Sequence, residues 1–210
     1  MKGIPAFSEE ACLARDLVVL KSVKGAKFHA AHMSTRGSIE LIRRAKHDGL
    51  PVTAETAPHY LCLEDKDLET YNTNLKINPP LRGHEDRLAM IEALKDGTMD
   101  CIASDHAPHA AHEKQVEFNA APNGSVGLET MFPLVVTHLV RAGHMSLPQA
   151  LASSPTAPRN AWDSRAERSR AARMRIWCSS IPKKNGLCAR RSSIRARRTR
   201  LSSVTAYSAA

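Results

Sequence analysis

The feature that most constrains the fold is a repeated alternation of short apolar runs with longer amphipathic segments over the first 150 residues. The short runs predict strands, at residues 27–33, 51–56, 75–77 and 100–104. The amphipathic segments predict helices, at residues 8–25, 37–48, 87–95 and 127–142. Strands that alternate with helices of this length are typical of right-handed βαβ units around a parallel sheet.

Polar residues follow each predicted strand at the point where it ends. They are His32, His59, Asn78 and the trio Asp105, His106 and His109. In a (β/α)8 barrel such positions lie on the C-terminal face, where active sites are assembled from several strands. About four βα units are present, so the predicted fold class is α/β, a partial TIM-type barrel. This is either a half-barrel or a chain whose other half is missing.

The charge divides the chain near residue 155. Residues 161–210 carry 13 Lys or Arg against two acids, a net charge of +11, whereas the other 160 residues carry 17 bases and 19 acids. We therefore predict a barrel region over residues 1–155 and an Arg/Ser-rich tail over residues 156–210. The overall pI of 9.6 describes neither part.

Three interpretations of the tail remain open: a disordered basic segment, a nucleic-acid-binding segment, or a one-base shift of reading frame. We favour the shift. The codons of Trp162 and Asp163 force glycine in the shifted frame, and those of Trp177 and Cys178 force valine. Permissive codons around them extend the shifted product into a strand-like string. Nucleic acid is therefore not an expected partner.

Several functional classes have no support. No run of about 18 apolar residues indicates a membrane span, and no apolar stretch after Met1 indicates a signal peptide. The five cysteines form no CxxC pair, which argues against a disulfide framework and a cysteine zinc site. No GxGxxG, P-loop or GxSxG motif occurs. We expect a soluble cytoplasmic protein.

The segment SDHAPH at residues 104–109 is the sharpest chemical signal. Asp105 can bind a divalent metal and accept a proton from metal-bound water, while the neighbouring histidines can bind metal or substrate. The alternative is a solvated loop with a helix-capping Asp. His32 is likewise either a metal ligand or a hydrogen-bonded structural residue.

Other polar residues divide into candidates and structural positions. His29 suits a structural role better than His32 does, and His59 can ligate metal or orient a ligand. Asn78 precedes a double proline, which suits recognition of a ring amide or carboxylate, although turn chemistry explains it equally well. Glu55 and the pair Glu9 and Glu10 are interpreted as surface or helix-start residues.

Together these segments resemble the C-terminal half of a class I dihydroorotase, a cyclic amidohydrolase with a binuclear zinc centre. The resemblance runs from about residue 3 to about residue 153. Its motifs are AAHMST at 30–35, VTAETAPHYL at 52–61, KINPPLR at 76–82, SDHAPH at 104–109, and VEF, APNG and GLET between 116 and 130. Several motifs in the right order make it specific.

The resemblance implies roles for individual residues. His32 would be the second histidine on the more solvent-facing zinc. Asp105 would ligate the other zinc and shuttle the proton of the bridging hydroxide. Asn78 and His109 would hold the dihydroorotate ring and its carboxylate.

The resemblance also implies that Asn123 and Gly124 contact substrate through the backbone. Dihydroorotases usually have Phe at the position of Asn123 and His at that of Tyr60. Tyr60 is more similar to the allantoinases, whereas the NPPLR segment that contains Asn78 is typical of dihydroorotases.

The implied activity is the interconversion of dihydroorotate and N-carbamoyl-L-aspartate in pyrimidine biosynthesis, with two Zn²⁺ ions per site. The family's His-x-His motif is absent from the 210 residues, so one ligand remains for each zinc, and we expect the chain alone to be inactive. Alternatives are an allantoinase or hydantoinase, and a non-catalytic scaffold. Expected partners are the small-molecule substrate and either a second copy or aspartate transcarbamoylase.

Overall fold

The computed structural model describes residues 3–153, and their sheet has three parallel strands. The strands are β1 (Phe28–Ala30), β2 (Val52–Thr56) and β3 (Cys101–Ile102), in the order β1-β2-β3. Ala30 lies opposite Ala54, and Thr56 lies opposite Ile102. The predicted α/β class with a parallel sheet is confirmed. The tail over residues 156–210 and its interpretations lie outside the described residues.

Helices connect the strands in the way a βαβ chain requires. They are α1 (Ala6–Ser22), α2 (Arg36–His47), α3 (His59–Cys62), α4 (His84–Lys95), α5 (Ala111–Lys114), α6 (Met131–Val135) and α7 (Leu147–Ala152). Helix α2 follows β1 and helix α4 precedes β3, and α2 packs against both α1 and α4. In residues 3–153, no helix combines the length and hydropathy needed to cross a bilayer.

Helix α2 shows why the local sequence determines these elements. The Thr35 side chain accepts a hydrogen bond from the amide of Ser38 and caps the N-terminus. Ile39, Ile42 and Ala45 recur at helical spacing and are buried against the sheet. Burial of each of the two isoleucines stabilises the fold by about 2 kcal/mol relative to an exposed side chain.

The interior consists of two apolar clusters. The larger one lies between the helices and the sheet and includes Ile42, Met90 and Ile102, each at most 1% exposed. The smaller one lies under the segment that follows α3. Its buried members are Ala57, Tyr60, Leu63, Leu75, Ile77 and Leu81. The smaller cluster anchors both flanks of Asn78, which is itself exposed.

The predicted strand at residues 75–77 is wrong, and the described region therefore has three strands rather than four. Thr73–Leu75 is a 3₁₀ helix instead, capped by the Asn72 side chain. The carbonyl of Lys76 accepts hydrogen bonds from the Lys114 ammonium and the Gly124 amide, and not from a neighbouring strand. The apolar residues Leu75 and Ile77 are buried, as their pattern predicts, but the backbone does not form a strand.

The predicted helix at residues 127–142 begins later than expected. Helix α6 starts at Met131 and continues as a π-helical segment, Val136–Arg141. The preceding residues form a turn because the amides of Gly127 and Leu128 donate to Nδ1 of His106, at 3.0 and 3.3 Å. A side chain 21 positions upstream therefore delays the start of the helix.

Candidate active site

Three ionisable side chains converge where the parallel strands end. His32 follows β1, His59 begins α3 directly after β2, and Asp105 follows β3. The distance from Nε2 of His32 to Oδ1 of Asp105 is 3.8 Å, and that from Nε2 of His59 to Oδ2 of Asp105 is 3.6 Å. The structure thus brings together His32 and Asp105, the two residues for which the resemblance implies zinc ligation.

The backbone at two of these positions is left-handed. His32 has φ 57° and Asp105 has φ 45°. Non-glycine residues adopt this region at a cost of about 1 kcal/mol or more, and such residues concentrate at functional sites. The conformation turns both side chains away from the direction of the strand and toward each other.

His59 is buried and carries no charge. Burial, and to a smaller extent the charge of His32, lower the pKa of the His59 imidazole to about 3. Within the described region, Nε2 of His59 and Nδ1 of His32 are buried and have no hydrogen-bond partner. Imidazole nitrogens and carboxylate oxygens are donor types that a divalent cation takes.

The number of ligands nevertheless falls short of a complete metal site. Residues 3–153 contain no group of three or more His, Cys, Asp or Glu side chains placed to hold a metal ion. The donor types therefore fit a divalent cation, but the set contributed by this region is partial.

Glu55 is not a surface residue, contrary to the sequence interpretation. Its side chain is 15% exposed and lies 3.2 Å from Nε2 of His29 and 3.5 Å from Nδ1 of His32. His29 also contacts the Thr53 hydroxyl through Nδ1, at 2.7 Å. The alternation in β2 places Thr53 and Glu55 on one face, and the pairing of His29 with Thr53 brings that face beside β1. The pairing of His29 with Thr53 is thus the feature that indicates the inward position of Glu55.

Glu9 lies in the first turn of α1, as the helix-start interpretation expects, but its side chain is only 8% exposed, contrary to the surface interpretation. Its carboxylate accepts hydrogen bonds from the amides of Ser34 and Thr35, at 3.0 and 3.2 Å, and from the Ser34 hydroxyl. Arg82 lies 3.6 Å away and donates to the same hydroxyl. Glu9 therefore fixes α1 to the loop that follows His32. Glu10 is half-buried and packs over Gly37.

Tyr60 supports the segment that carries Asn78. Its hydroxyl donates to the carbonyl of Pro79 at 2.6 Å. Burial, followed by the charges of Asp105 and Glu9, raises the pKa of the Tyr60 phenol well above its usual value. The phenol therefore stays protonated and keeps its hydrogen bond at all pH values of interest.

The turn that contains Asn123 and Gly124 lies against the SDHAPH loop. Nε2 of His109 is 2.8 Å from the carbonyl of Asn123. Gly124 has φ 126°, and a Cβ there would come within 2.7 Å of the Ala107 carbonyl. The Gly124 amide donates to the carbonyl of Lys76, at 2.9 Å. Only glycine fits so close an approach in this conformation.

Sequence relatives of the chain are dihydroorotases. The dihydroorotase of Ruminiclostridium cellulolyticum is 54% identical over 149 residues, which cover 71% of this chain and 35% of that protein. The dihydroorotase of Geobacter sulfurreducens is 52% identical over 160 residues, 75% of this chain and 37% of that protein. The chain thus spans about a third of the length of these relatives. No protein-family model matches the chain.

Structural neighbours of the chain are hydantoinases. The L-hydantoinase (dihydropyrimidinase) from Arthrobacter aurescens has a TM-score of 0.70 and 31% identity, covering 74% of this chain and 35% of that one. A D-hydantoinase has a TM-score of 0.67 and 30% identity over the same shares.

The parallel α/β fold and the structural neighbours indicate the same class: the described region is part of a TIM-barrel amidohydrolase. Within that class, the sequence matches are to dihydroorotases, at about 50% identity over 71% of the chain. The resemblance inferred from the motifs is confirmed.

Proposed function

We propose that this chain provides the C-terminal part of the barrel of a dihydroorotase-type cyclic amidohydrolase, which interconverts dihydroorotate and N-carbamoyl-L-aspartate. One observation carries the proposal: Asp105 and His32 meet at the carboxyl ends of parallel strands, within a region 54% identical to a dihydroorotase. Pyrimidine biosynthesis in the cytoplasm is the setting that goes with this reaction.

The proposed cofactor is a pair of Zn²⁺ ions. His32 would contribute an imidazole nitrogen toward one ion and Asp105 a carboxylate toward the other. When bound, such ions lower the pKa of a water molecule and polarise the ring carbonyl. The unpaired Nδ1 of His32 supports a cation in this place, because buried polar atoms normally have partners.

Asp105 is the proposed proton carrier. One of its carboxylate oxygens takes a proton from the water molecule whose oxygen adds to the ring carbonyl carbon. The same oxygen returns that proton to the amide nitrogen when the carbon–nitrogen bond breaks and the ring opens. Its left-handed backbone and the neighbouring His59 hold the carboxylate at the rim, which is the end of the sheet where His32, His59 and Asp105 converge.

Substrate binding is assigned to the groups around the SDHAPH loop. Asn78 and His109 are proposed to hold the ring and its carboxylate, and the backbone of Asn123 and Gly124 to contact the ring. The contact between His109 and the Asn123 carbonyl supports this grouping, because it places two of the four residues side by side.

A hydantoinase-type activity is the second candidate. One observation favours it: the structural neighbours are hydantoinases, at 31% and 30% identity. Both candidates hydrolyse a ring amide. A scaffold role beside aspartate transcarbamoylase and a homodimer remain further proposals, which size-exclusion chromatography would test.

A chimera tests the proposed function. The matching segment of this chain replaces the aligned 149 residues of the Ruminiclostridium cellulolyticum enzyme, and ring hydrolysis is assayed. We expect turnover of dihydroorotate, and a loss of about 1000-fold on Asp105→Asn because the proton carrier is removed. Asp16→Asn, a surface control that pairs with Arg15, should retain full activity.

Two results would contradict the proposal. Faster turnover of hydantoin or dihydrouracil than of dihydroorotate would transfer the assignment to the second candidate. Full activity of the Asp105→Asn chimera would remove Asp105 from the mechanism.

A further inference from the structure

The most unusual charged group outside the rim is Lys114, at the end of α5. The residue is 4% exposed, and in residues 3–153 no carboxylate lies within ion-pair distance of its ammonium group. The ammonium instead donates to the carbonyls of Pro122 at 2.7 Å, Thr73 at 3.0 Å and Lys76 at 3.4 Å. Lysine is almost never fully buried without a partner, so its bonds to three carbonyls from two other segments indicate a specific role.

Each carbonyl belongs to a segment that leads to the candidate substrate groups. Lys76 precedes Asn78 by two residues, and Pro122 immediately precedes Asn123. The Lys76 carbonyl also accepts the Gly124 amide at 2.9 Å. The Lys114 ammonium therefore ties together the two backbone segments from which these groups project.

A second lysine, Lys76, also contacts the turn that carries Asn123 and Gly124. The Lys76 ammonium donates to the carbonyls of Ala121 at 2.7 Å and Asn119 at 2.9 Å, and lies over the Phe118 ring. Because Lys76 itself belongs to the segment before Asn78, its ammonium joins the same two segments, and the buried Lys114 ammonium adds the contacts to Thr73 and Pro122.

We propose that Lys114 is a positioning residue that fixes the separation between Asn78 and the turn carrying Asn123 and Gly124. This inference rests on the proposed function for its consequence in catalysis, although the tie itself does not. An ammonium group suits the task because its three N–H bonds diverge toward three carbonyls. A guanidinium is planar and cannot reproduce that arrangement, so arginine should replace Lys114 only in part.

The test compares Lys114→Met, Lys114→Arg and the matched control Lys95→Met in the full chain. Lys95 is an α4 residue that pairs with Glu92. Amide hydrogen exchange is measured residue by residue. In Lys114→Met the Gly124 amide should exchange about tenfold faster, while the α2 amide of Ile39 stays unchanged. Lys114→Arg should fall between, and Lys95→Met should match the parent.

A Gly124 exchange rate equal to that of the parent in Lys114→Met overturns the proposal. If that variant does not fold, Lys114→Gln is used; its shorter, neutral side chain cannot span the three carbonyls, and the same equality would be decisive.

Kinetics of the chimera separate this inference from the proposed function. Lys114→Met should raise KM about tenfold with kcat within about threefold, because binding groups are displaced while the rim is intact. An unchanged KM with reduced kcat overturns the positioning role. A chimera without ring hydrolysis overturns the proposed function, whereas the Gly124 exchange rate still decides whether Lys114 makes the tie.

Discussion

At the scale of single residues, the polar side chains of the rim lie close together, but among His32, His59 and Asp105 only His59 is buried in the described region. The Nε2 atom of His59 lies 3.6 Å from Asp105 and has no hydrogen-bond partner there. A neutral imidazole carries one N–H, which can be directed at the carboxylate. His59 is thus placed to limit the positions that the Asp105 carboxylate can take.

Substituting His59 in the chimera tests this role. His59→Leu should lower kcat/KM by about tenfold or more, because the Asp105 carboxylate loses a polar neighbour at the rim. His59→Gln should retain most activity, because the amide offers an N–H from a similar side chain. His47→Gln, a substitution of an exposed histidine on α2, is the control. Equal activity of the Leu and Gln variants would show that His59 does not act on Asp105.

The strand-end residues His32 and Asp105 are recognisable in the sequence, whereas the low exposure of the Glu9 and Glu55 side chains is not. His32, Asn78 and Asp105 stand out because each polar residue interrupts an apolar pattern at the end of a predicted strand. Glu9 and Glu55 also interrupt such patterns, but their partners, Ser34 and His29, lie on other elements. A charge is normally exposed, and only the three-dimensional register shows what compensates for its burial.

At the scale of elements, Glu64 connects the end of α3 to α4. Its carboxylate contacts His84 and Arg87, each at 2.7 Å, and Lys66 at 2.6 Å. Burial opposes ionisation, but the hydrogen bonds from Lys66, His84 and Arg87 outweigh it and lower the pKa of the Glu64 carboxyl from 4.5 to about 2. The stabilisation is therefore complete above about pH 4.5 and is lost as the pH falls toward 2.

The Glu64→Gln variant should reveal this contribution. At pH 7 we expect its free energy of unfolding to be lower by about 2 kcal/mol, because Lys66, His84 and Arg87 lose the buried carboxylate that they contact. The difference from the parent should shrink between pH 4.5 and pH 3. Urea unfolding at both pH values measures it, with Glu85→Gln, a substitution of an exposed α4 residue, as the control. An equal difference at pH 7 and pH 3 would rule out the ionised carboxylate as its source.

Elements whose hydrogen bonds are local were predictable from the sequence. Helix α2 lies within one residue of its predicted bounds because its cap and its apolar stripe are encoded within the segment itself. The 3₁₀ helix Thr73–Leu75 and the delayed start of α6 were not predictable. Their geometry depends on Lys114 and His106, residues far away in the sequence whose side chains bond the backbone there.

At the scale of the whole molecule, the described sheet is part of a barrel rather than a closed one. In residues 3–153, β1 and β3 each pair with β2 alone, and the outer amide of Ile102 donates to the carbonyl of Ser153. The predicted half-barrel is thus seen as three strands. A parallel sheet whose two edge strands each lack a neighbouring strand on the outer side favours association with another chain or segment.

The same incompleteness applies to metal binding. Only His32 and Asp105 are assigned as ligands here, whereas a stable zinc site takes three or four protein ligands. We therefore expect isothermal titration of Zn²⁺ into the full chain to give a Kd above about 10 μM. The chimera should bind zinc far more tightly, and Asp105→Asn should weaken binding there. Tight binding of two ions by the chain alone, with turnover of dihydroorotate, would show that its own residues complete the site.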